Sequence, residues 1–308
     1  MLQRDAFIEA LDEAAEKDKN IVLLSADLGA EKLDAFRAHH PKQFFHCGIS
    51  EQHTIDFAAG LSLAGKTVFV YCMGPFLSLR CYEQIKCSLA MMNRPVTLIS
   101  AGVGLGYADS GPTHYATEDI ACLRALNGIE VLTPADNFAA VEMAKSSLTP
   151  KRLRYIRLDR EPMPDVYAEH RLFRTGVWDG FHEIRQGGRV CILSSGYMLH
   201  RAIEANEELA EHRIDTGIID LFQIKPISAD LLLPVLINYD AIVTVEEQCL
   251  SGGFGSAVVE TLVDCGVGTP VKRMGLPDRY YFENGGRANI LDSFGLSVAD
   301  ICETVKSM

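Results

Sequence analysis

The sequence predicts an α/β fold with two domains, each built on a parallel sheet covered by helices. Short β-branched apolar runs alternate with stretches of helical period through the first 160 residues, a pattern typical of parallel strands joined by helices. The runs in this half are NIVLLSA, KTVFVYC, PVTLISA, IEVLTP and LRYIRL. A second set follows further along the chain: VCILSSG, TGIIDL, AIVTVEE and PVKRMG. A length of 308 residues is sufficient for two compact domains.

Helices are predicted between these strands. The start, MLQRDAFIEALDEAAEK, is amphipathic and carries acidic residues, so it predicts a helix and not a signal peptide. In the second domain the pattern predicts helix starts near Leu199, Ala229 and Gly253. The segment between the domains, REPMPDVYAEHRLFRTGVWDG, is polar and irregular and contains two prolines. We therefore predict a first domain over residues 1–165, a linker over 166–184 and a second domain over 185–308.

Composition narrows the class of protein. With 48% hydrophobic and 23% charged residues the chain is globular, and its net charge of -12 comes without a basic cluster, which argues against nucleic-acid binding. No apolar run approaches the roughly 20 residues of a membrane span, so we expect a cytoplasmic protein without membrane contact. Nine cysteines form an odd set without a C-x-x-C pair, which argues against a disulfide framework and a zinc site.

One segment stands where ligands bind in parallel sheets, after the carboxyl end of a strand. The loop AGVGLGYADSGPTH follows PVTLISA, and its glycines allow backbone to approach a ligand closely. In FFHCGISEQHTIDFAAGLSLAGK, Glu51 opens a helix whose later face is apolar. From the residues alone, an acid at a helix start is typical of a favourable interaction with the helix dipole.

Eight segments occur in a fixed order: SADLG, GISEQHTIDFAAGLSLAGK, PFLSLRCYEQI, SGPTHYATEDIACLRALNGIEVLTPAD, YIRLDR, DLFQIKPI, VTVEEQCLSGGFGSAV and MGLPDRY. This series resembles the pyrimidine-binding and C-terminal domains of transketolases and deoxyxylulose-phosphate synthases. The resemblance extends over nearly the whole chain. It implies a thiamin-diphosphate-dependent enzyme in which this chain carries those two domains.

The resemblance implies cofactor roles for four residues. Glu51 is the glutamate that hydrogen-bonds the pyrimidine ring nitrogen of thiamin diphosphate, favouring the imino tautomer that generates the ylid. Phe76 and Tyr82 lie in GPFLSLRCYEQI, where the family places aromatic rings against the aminopyrimidine. Asp27, in SADLG, resembles an acid near the cofactor. Core packing remains the alternative for the two aromatic residues, and capping of a loop remains the alternative for Asp27.

Two residues are implied in substrate binding. His114, in SGPTH, resembles the histidine that faces a substrate hydroxyl or carbonyl oxygen and passes protons. Arg157, in YIRLDR, resembles an arginine that reaches the substrate phosphate, with a structural salt bridge as the alternative. The chain departs from the family where a histidine or arginine precedes the glycine loop, since small residues occupy 100–102. We predict that His53 is a packed or supporting histidine and that SGGFGS, residues 251–256, has a packing role.

The family motif G-D-G followed by N-N, which holds the diphosphate and its metal, is absent from this sequence. The resemblance therefore implies that Mg²⁺ and the diphosphate are held by a partner subunit, an N-terminal transketolase subunit, in an α2β2 heterotetramer. The implied reaction moves a two-carbon ketol unit from a ketose sugar to an aldehyde acceptor. Two alternatives stay open: a decarboxylating subunit of the deoxyxylulose-phosphate synthase or 2-oxo acid dehydrogenase beta type, and a catalytically inactive scaffold.

Overall fold

The protein, described by a computed structural model over residues 1–26, 29–167, 179–282 and 285–308, contains two sheets with helices packed on them. Nearly all strand pairs are parallel, so the predicted α/β fold with two parallel-sheet domains is confirmed. Most of the predicted linker, residues 166–184, falls on positions outside the described ranges. No helix in those ranges combines the length and the apolar composition needed to cross a bilayer.

The first sheet has six strands from the first half of the chain and one short strand from the second half. They are β1 (Ile21–Ala26), β2 (Phe44–Gly48), β3 (Thr67–Met73), β4 (Val96–Ala101), β5 (Ile129–Leu132), β6 (Leu153–Leu158) and β10 (Gln223–Lys225). Their order across the sheet is β10-β5-β6-β4-β3-β1-β2, and only β10 runs antiparallel to its neighbour. All five predicted runs of this half form strands, and β2 was not predicted because two of its five residues are exposed and the other three are only partly buried.

The second sheet has five strands in the second half of the chain. They are β7 (His182–Arg185), β8 (Val190–Ser194), β9 (Thr216–Asp220), β11 (Ala241–Cys249) and β12 (Val271–Leu276). Their order is β12-β11-β8-β9-β7, with β7 antiparallel at one edge. The four predicted runs are again strands, whereas β7 lacks an apolar run that would have predicted it.

Eleven α-helices lie in the described ranges. They are α1 (Gln3–Lys17), α2 (Glu31–His39), α3 (Glu51–Leu63), α4 (Tyr82–Gln84), α5 (Asp119–Arg124), α6 (Asn137–Ser146), α7 (Tyr197–Glu211), α8 (Ala229–Leu236), α9 (Phe254–Asp264), α10 (Arg287–Ser293) and α11 (Val298–Lys306). Two π-helical turns, Phe76–Arg80 and Ile85–Ala90, flank α4, and a 3₁₀ turn spans Pro112–His114. The amphipathic start is α1, and the predicted helix starts of the second domain correspond to α7, α8 and α9.

The core is continuous between the two domains. Strands β1, β4 and β6 are buried along their whole length because helices cover both faces of the sheet. One apolar cluster contains Leu98 of β4 together with Leu193 of β8, so it extends from the first sheet to the second. The two domains therefore share buried apolar surface and do not pack as separate bodies.

Strand β10 connects the domains through hydrogen bonds as well. Gln223 pairs with Leu132, and Lys225 pairs with Val131, so three residues of the second half extend the first sheet. The Lys225 ammonium also donates a hydrogen bond to the carbonyl oxygen of Arg124 at 2.8 Å. A strand of three residues shows no periodicity, which is why the sequence did not predict it.

The amino terminus of α9 is occupied by a side chain of the protein. The Glu246 carboxylate accepts hydrogen bonds from the backbone nitrogens of Phe254 at 2.6 Å and Gly255 at 2.8 Å. Burial raises the pKa of Glu246 to about 7, although the two backbone donors act in the opposite direction. Because this carboxylate fills the place where an anion would bind, the geometry favours the packing role predicted for residues 251–256.

Candidate active site

Apart from Arg157, which lies within β6, the predicted site residues lie in segments that follow strands of the first sheet. Helix α3 follows β2, a π-helical turn follows β3, and the loop of residues 102–116 follows β4. The strand order changes direction at β1, which lies between β2 and β3, and such a position forms a ligand crevice in parallel sheets. Asp27 directly follows β1 but lies outside the described residues, so its role near the cofactor stays a prediction.

Glu51 is the first residue of α3 and is only 7% exposed. It lies at the positive end of the helix dipole, as predicted for an acid at a helix start. Its hydrogen bond, however, is made to another segment: Oε1 accepts from Nη1 of Arg80 at 2.7 Å. A buried carboxylate in this crevice is therefore able to accept a hydrogen bond from a nitrogen group that lies in front of it.

Arg80 also lies over an aromatic ring. Its guanidinium carbon is 4.0 Å from the centroid of Phe76, in cation-π geometry. Both residues belong to the same π-helical turn, a rare element that is frequent at functional sites. The partly buried Tyr82, in α4, packs against the same apolar cluster as Phe76, so a cofactor contact and a role in the core both stay open for it. The contacts thus connect Glu51 with Phe76 through Arg80.

His114 also contacts the ring of Phe76. The two rings meet edge to face with centroids 5.4 Å apart, and the ring of Tyr107 lies 6.2 Å from that of His114. Thr113 Oγ1 is 2.9 Å from Nδ1 of His114, a hydrogen bond that orients the imidazole. Three of the residues predicted from the sequence, Glu51, Phe76 and His114, therefore lie in one continuous series of contacts.

The loop of residues 102–116 depends on a glycine at its start. Gly102 has a φ of +72°, and a Cβ atom there would lie 2.0 Å from the ring of Tyr107. Only glycine allows both this backbone conformation and this approach of the ring. The Arg160 guanidinium covers the ring at 4.3 Å, and burial raises the pKa of Tyr107, so the phenol is neutral. No sequence pattern indicated Tyr107 or Arg80.

Arg157, in β6, is buried at 2% exposure. Its Nε donates to Oδ2 of Asp119 at 2.7 Å, and its Nη1 donates to Oγ1 of Thr133 at 3.2 Å. Burial alone would lower the pKa of Arg157, but the adjacent Asp119 carboxylate raises it above the ordinary value. The geometry favours the salt-bridge alternative, and contact with a substrate phosphate stays a prediction that requires Asp119 to release the guanidinium.

The remaining candidates are His53, the cysteines and any metal-binding group. His53 is exposed and stacks in parallel on Phe57, with ring centroids 6.3 Å apart. The nine cysteines are all free thiols. In the part of the chain that the structure describes, no group of three His, Cys, Asp or Glu side chains is arranged to hold a metal ion.

Comparison with known domains gives the class of protein. The family model for the transketolase pyrimidine binding domain matches residues 1–165, and the model for the transketolase C-terminal domain matches residues 181–301. The chain belongs to the transketolase family. It is a transketolase-like subunit of the thiamin-diphosphate-dependent transferases and carries these two domains.

Particular relatives agree with this class. A subunit of the apulose-4-phosphate transketolase of Phocaeicola vulgatus is 33% identical over 302 residues, which are 98% of this chain and 95% of that protein. The 1-deoxy-D-xylulose-5-phosphate synthase of Gloeobacter violaceus is 33% identical in an alignment 310 positions long, which covers 97% of this chain and 47% of that enzyme. The chain therefore spans nearly all of the first relative and about half the length of the second.

Solved structures give the same result for the fold. A split gene transketolase, an inactive beta4 tetramer, has a TM-score of 0.87 and 30% identity, covering 100% of this chain and 97% of that chain. A transketolase mutant from Pichia stipitis has a TM-score of 0.82 and 19% identity, covering 100% of this chain and 45% of that chain. At 19% identity the second structure supports the fold alone.

Proposed function

We propose that this chain binds the pyrimidine end of thiamin diphosphate and, together with a partner subunit, transfers a two-carbon ketol unit from a ketose to an aldehyde. The observation that carries the proposal is the buried Glu51 carboxylate, which Arg80 connects to the Phe76 ring, together with the contact between that ring and His114. In this proposal Glu51, Phe76, Tyr82 and Asp27 contact the cofactor.

The guanidinium of Arg80, which lies in the site, supports the fit between the site and an aminopyrimidine. The Arg80 guanidinium is a flat nitrogen-rich group, and it both donates to Glu51 and lies with its carbon 4.0 Å from the centroid of the Phe76 ring. An aminopyrimidine is likewise flat and carries nitrogen atoms at its edge. A carboxylate and an aromatic face that together hold one flat nitrogen-rich group can therefore bind such a ring once Arg80 moves.

The residues of the chain then have separate tasks. When bound, thiamin diphosphate supplies an electron sink for carbon–carbon bond cleavage and formation. Glu51 holds a proton shared with a nitrogen at the edge of the ring, and Phe76 fixes the plane of the ring. His114, oriented by Thr113, donates to or accepts from an oxygen of the sugar substrate.

Exposed apolar residues near Glu51 and Arg80 support the proposal that the chain binds a partner subunit. Ile49, two residues before Glu51, is 76% exposed, and Leu79, beside Arg80, is 41% exposed. Surfaces of this kind often mark contacts with another protein. We propose that the partner is a diphosphate-binding transketolase subunit that also holds Mg²⁺, that the assembly is an α2β2 heterotetramer, and that it works in the cytoplasm.

The test is reconstitution. The chain is co-expressed with a candidate diphosphate-domain protein, and ketol transfer is assayed with thiamin diphosphate and Mg²⁺, using each subunit alone and the mixture. Apulose 4-phosphate, taken from the name of the Phocaeicola vulgatus relative, is the first donor to test. Activity only in the mixture supports the proposal, whereas a stable complex that binds cofactor but transfers no ketol unit from any donor contradicts it.

A decarboxylating enzyme is the second candidate. It is favoured by the 33% identity to 1-deoxy-D-xylulose-5-phosphate synthases. Two features argue against a phosphosugar acceptor. Small residues occupy 100–102 in place of a phosphate-binding side chain, and the guanidinium of Arg157 is bound to Asp119. Release of carbon dioxide from pyruvate by the same mixture, without ketol transfer, would select this candidate.

A further inference from the structure

The loop that carries His114 belongs to the first domain but is packed by the second. Leu105, Ala108 and Tyr115 are buried in an apolar cluster whose other members come from the second domain. Cys249, at the end of β11, donates a backbone hydrogen bond to the carbonyl oxygen of Thr117 at 3.0 Å. The conformation of residues 102–116 therefore depends on the second domain.

Glu247 of β11 makes a polar contact with this loop. It is 4% exposed, and its Oε2 accepts a hydrogen bond from the backbone nitrogen of Leu105 at 3.2 Å. A Cβ atom on Gly104 would lie 2.2 Å from Cδ of Glu247, so the carboxylate lies directly against bare backbone. Gly104 in turn exchanges two backbone hydrogen bonds with Ala116, at 3.2 Å and 2.9 Å, which close the loop two residues after His114.

Arg287 fixes the position of Glu247. Its Nε donates to Oε2 of Glu247 at 2.9 Å, and its Nη1 donates to Oδ1 of Asp159 at 2.9 Å. The guanidinium carbon lies 3.7 Å from the centroid of the Tyr197 ring, and Arg287 is 3% exposed. A buried guanidinium held between two carboxylates and an aromatic face has little freedom, so Glu247 is held rigidly as well.

We propose that Glu247, fixed by Arg287, is a positioning residue that sets the place of His114 through the backbone of residues 104–116. The second domain would then shape the active site in addition to stabilising the fold. The effect on catalysis rests on the proposed function, in which His114 faces the substrate, while the effect on the loop does not depend on it.

The first test measures the loop itself, by hydrogen–deuterium exchange of the full-length chain. The Glu247 carboxylate accepts three hydrogen bonds, from Leu105 N, from Arg287 Nε and, at Oε1, from Arg287 Nη2. In Glu247→Gln the amide presents a donor to Arg287, so the side chain cannot keep all three. We expect exchange over residues 102–116 to rise about 10-fold or more, the effect of losing a hydrogen bond to a charged group. Glu247→Asp, which keeps the charge but shortens the side chain, should raise exchange there too, and it serves if the Gln variant does not fold.

The matched control is Glu130→Gln. Glu130 is also buried, at 8% exposure, and accepts a hydrogen bond from Arg154 at 2.6 Å, but it lies on β5, away from the loop. This variant should lose stability without raising exchange over residues 102–116. Equal loop exchange in the Glu130→Gln and Glu247→Gln variants would overturn the inference.

The second test uses the reconstituted enzyme. We expect Glu247→Gln to lower kcat about 100-fold, as displacement of a catalytic group by about 1 Å does, with the KM for the donor and the affinity for thiamin diphosphate nearly unchanged. A role in stability alone would lower the melting temperature and leave kcat of the folded enzyme unchanged, which would also overturn the inference. If the wild-type mixture transfers no ketol unit, the proposed function fails, and the exchange comparison still decides the positioning role.

Discussion

Arg80 and Glu51 form an ion pair with 2.7 Å between Nη1 and Oε1, inside the crevice where the pyrimidine ring is proposed to bind. The Glu51 side chain is 8% exposed, and that of Arg80 is 40% exposed. The carboxylate is thus shielded from solvent, whereas the Arg80 side chain is partly open to it. In this conformation Arg80 and an aminopyrimidine compete for the same carboxylate.

This competition predicts tighter cofactor binding when Arg80 is replaced. Arg80→Met removes the ion pair but keeps an apolar side chain over Phe76. Because a half-exposed ion pair contributes little, we expect the Kd for thiamin diphosphate in the reconstituted complex to fall by only about 3-fold. Titration calorimetry measures this change, with Arg37→Met, an exposed helix residue, as the control. Weaker binding by Arg80→Met would show that Arg80 contacts the bound cofactor and does not compete with it.

Replacement of Glu51 tests the cofactor role directly. Glu51→Gln keeps the shape of the side chain but cannot exchange a proton with a ring nitrogen, so we expect kcat to fall by about 100-fold to 10,000-fold. Circular dichroism and the melting temperature should remain close to those of the wild type. Glu13→Gln, an exposed residue of α1, is the control. Turnover near the wild-type rate in Glu51→Gln would remove Glu51 from the mechanism.

His114 is expected to act on the substrate and not on the cofactor. His114→Asn can still hydrogen-bond to Thr113 but cannot carry a proton, so kcat/KM for the ketose donor should fall about 100-fold. The Kd for thiamin diphosphate should stay within the error of the wild-type value. His212→Asn, at an exposed position after α7, provides the comparison. A large loss of cofactor affinity in His114→Asn would assign the histidine to the cofactor instead.

Stability should decrease with rising pH because of one buried carboxyl group. Burial raises the pKa of Asp220 to about 8, with a smaller contribution from Asp136, although a hydrogen bond from Tyr167 lowers it. Oδ1 of Asp220 has no hydrogen-bond partner among the described residues. Between the ordinary aspartate pKa of about 4 and pH 8, the folded state keeps a proton that the unfolded state has lost. The contribution of Asp220 to the free energy of unfolding is therefore complete below about pH 4 and is lost as the pH rises to about 8.

Asp220→Asn tests this assignment. The amide has the same shape and does not titrate, so the variant should lose a dependence of up to about 1.4 kcal/mol per pH unit in the free energy of unfolding. Urea unfolding at pH 5, 6.5 and 8 measures the slope for both proteins. Parallel slopes for the wild type and Asp220→Asn would mean that another group causes the pH dependence.

The sequence predicted the strands that are buried along their length, because continuous apolar runs mark them. It did not predict β2, β7 and β10, which lie at edges and pair through backbone groups that carry no residue pattern. Glu51 and His114 were predicted through motifs, and the structure connects both to the ring of Phe76, His114 directly and Glu51 through Arg80.

Contacts between distant residues could not be predicted. Glu247 bonds to Leu105, 142 positions earlier in the chain, and a glutamate at the end of a strand gives no sign of such a partner. For Arg157 the motif indicated a phosphate ligand, with a salt bridge as the alternative. Only the geometry shows that Asp119, 38 positions away, engages the guanidinium. Arg80 was overlooked because a single arginine on a helix is usually a solvated surface residue.

The short strand β10 has a consequence for any attempt to divide the chain. A fragment that ends after β6 would contain all the motifs of the pyrimidine site, yet it would leave the backbone donors and acceptors of β5 without the partner that Gln223 and Lys225 provide. An open edge of this kind recruits strands from other molecules and promotes aggregation. The first domain therefore cannot be transferred to another protein by itself. A fusion or a circular permutation must keep residues 223–225 attached to it.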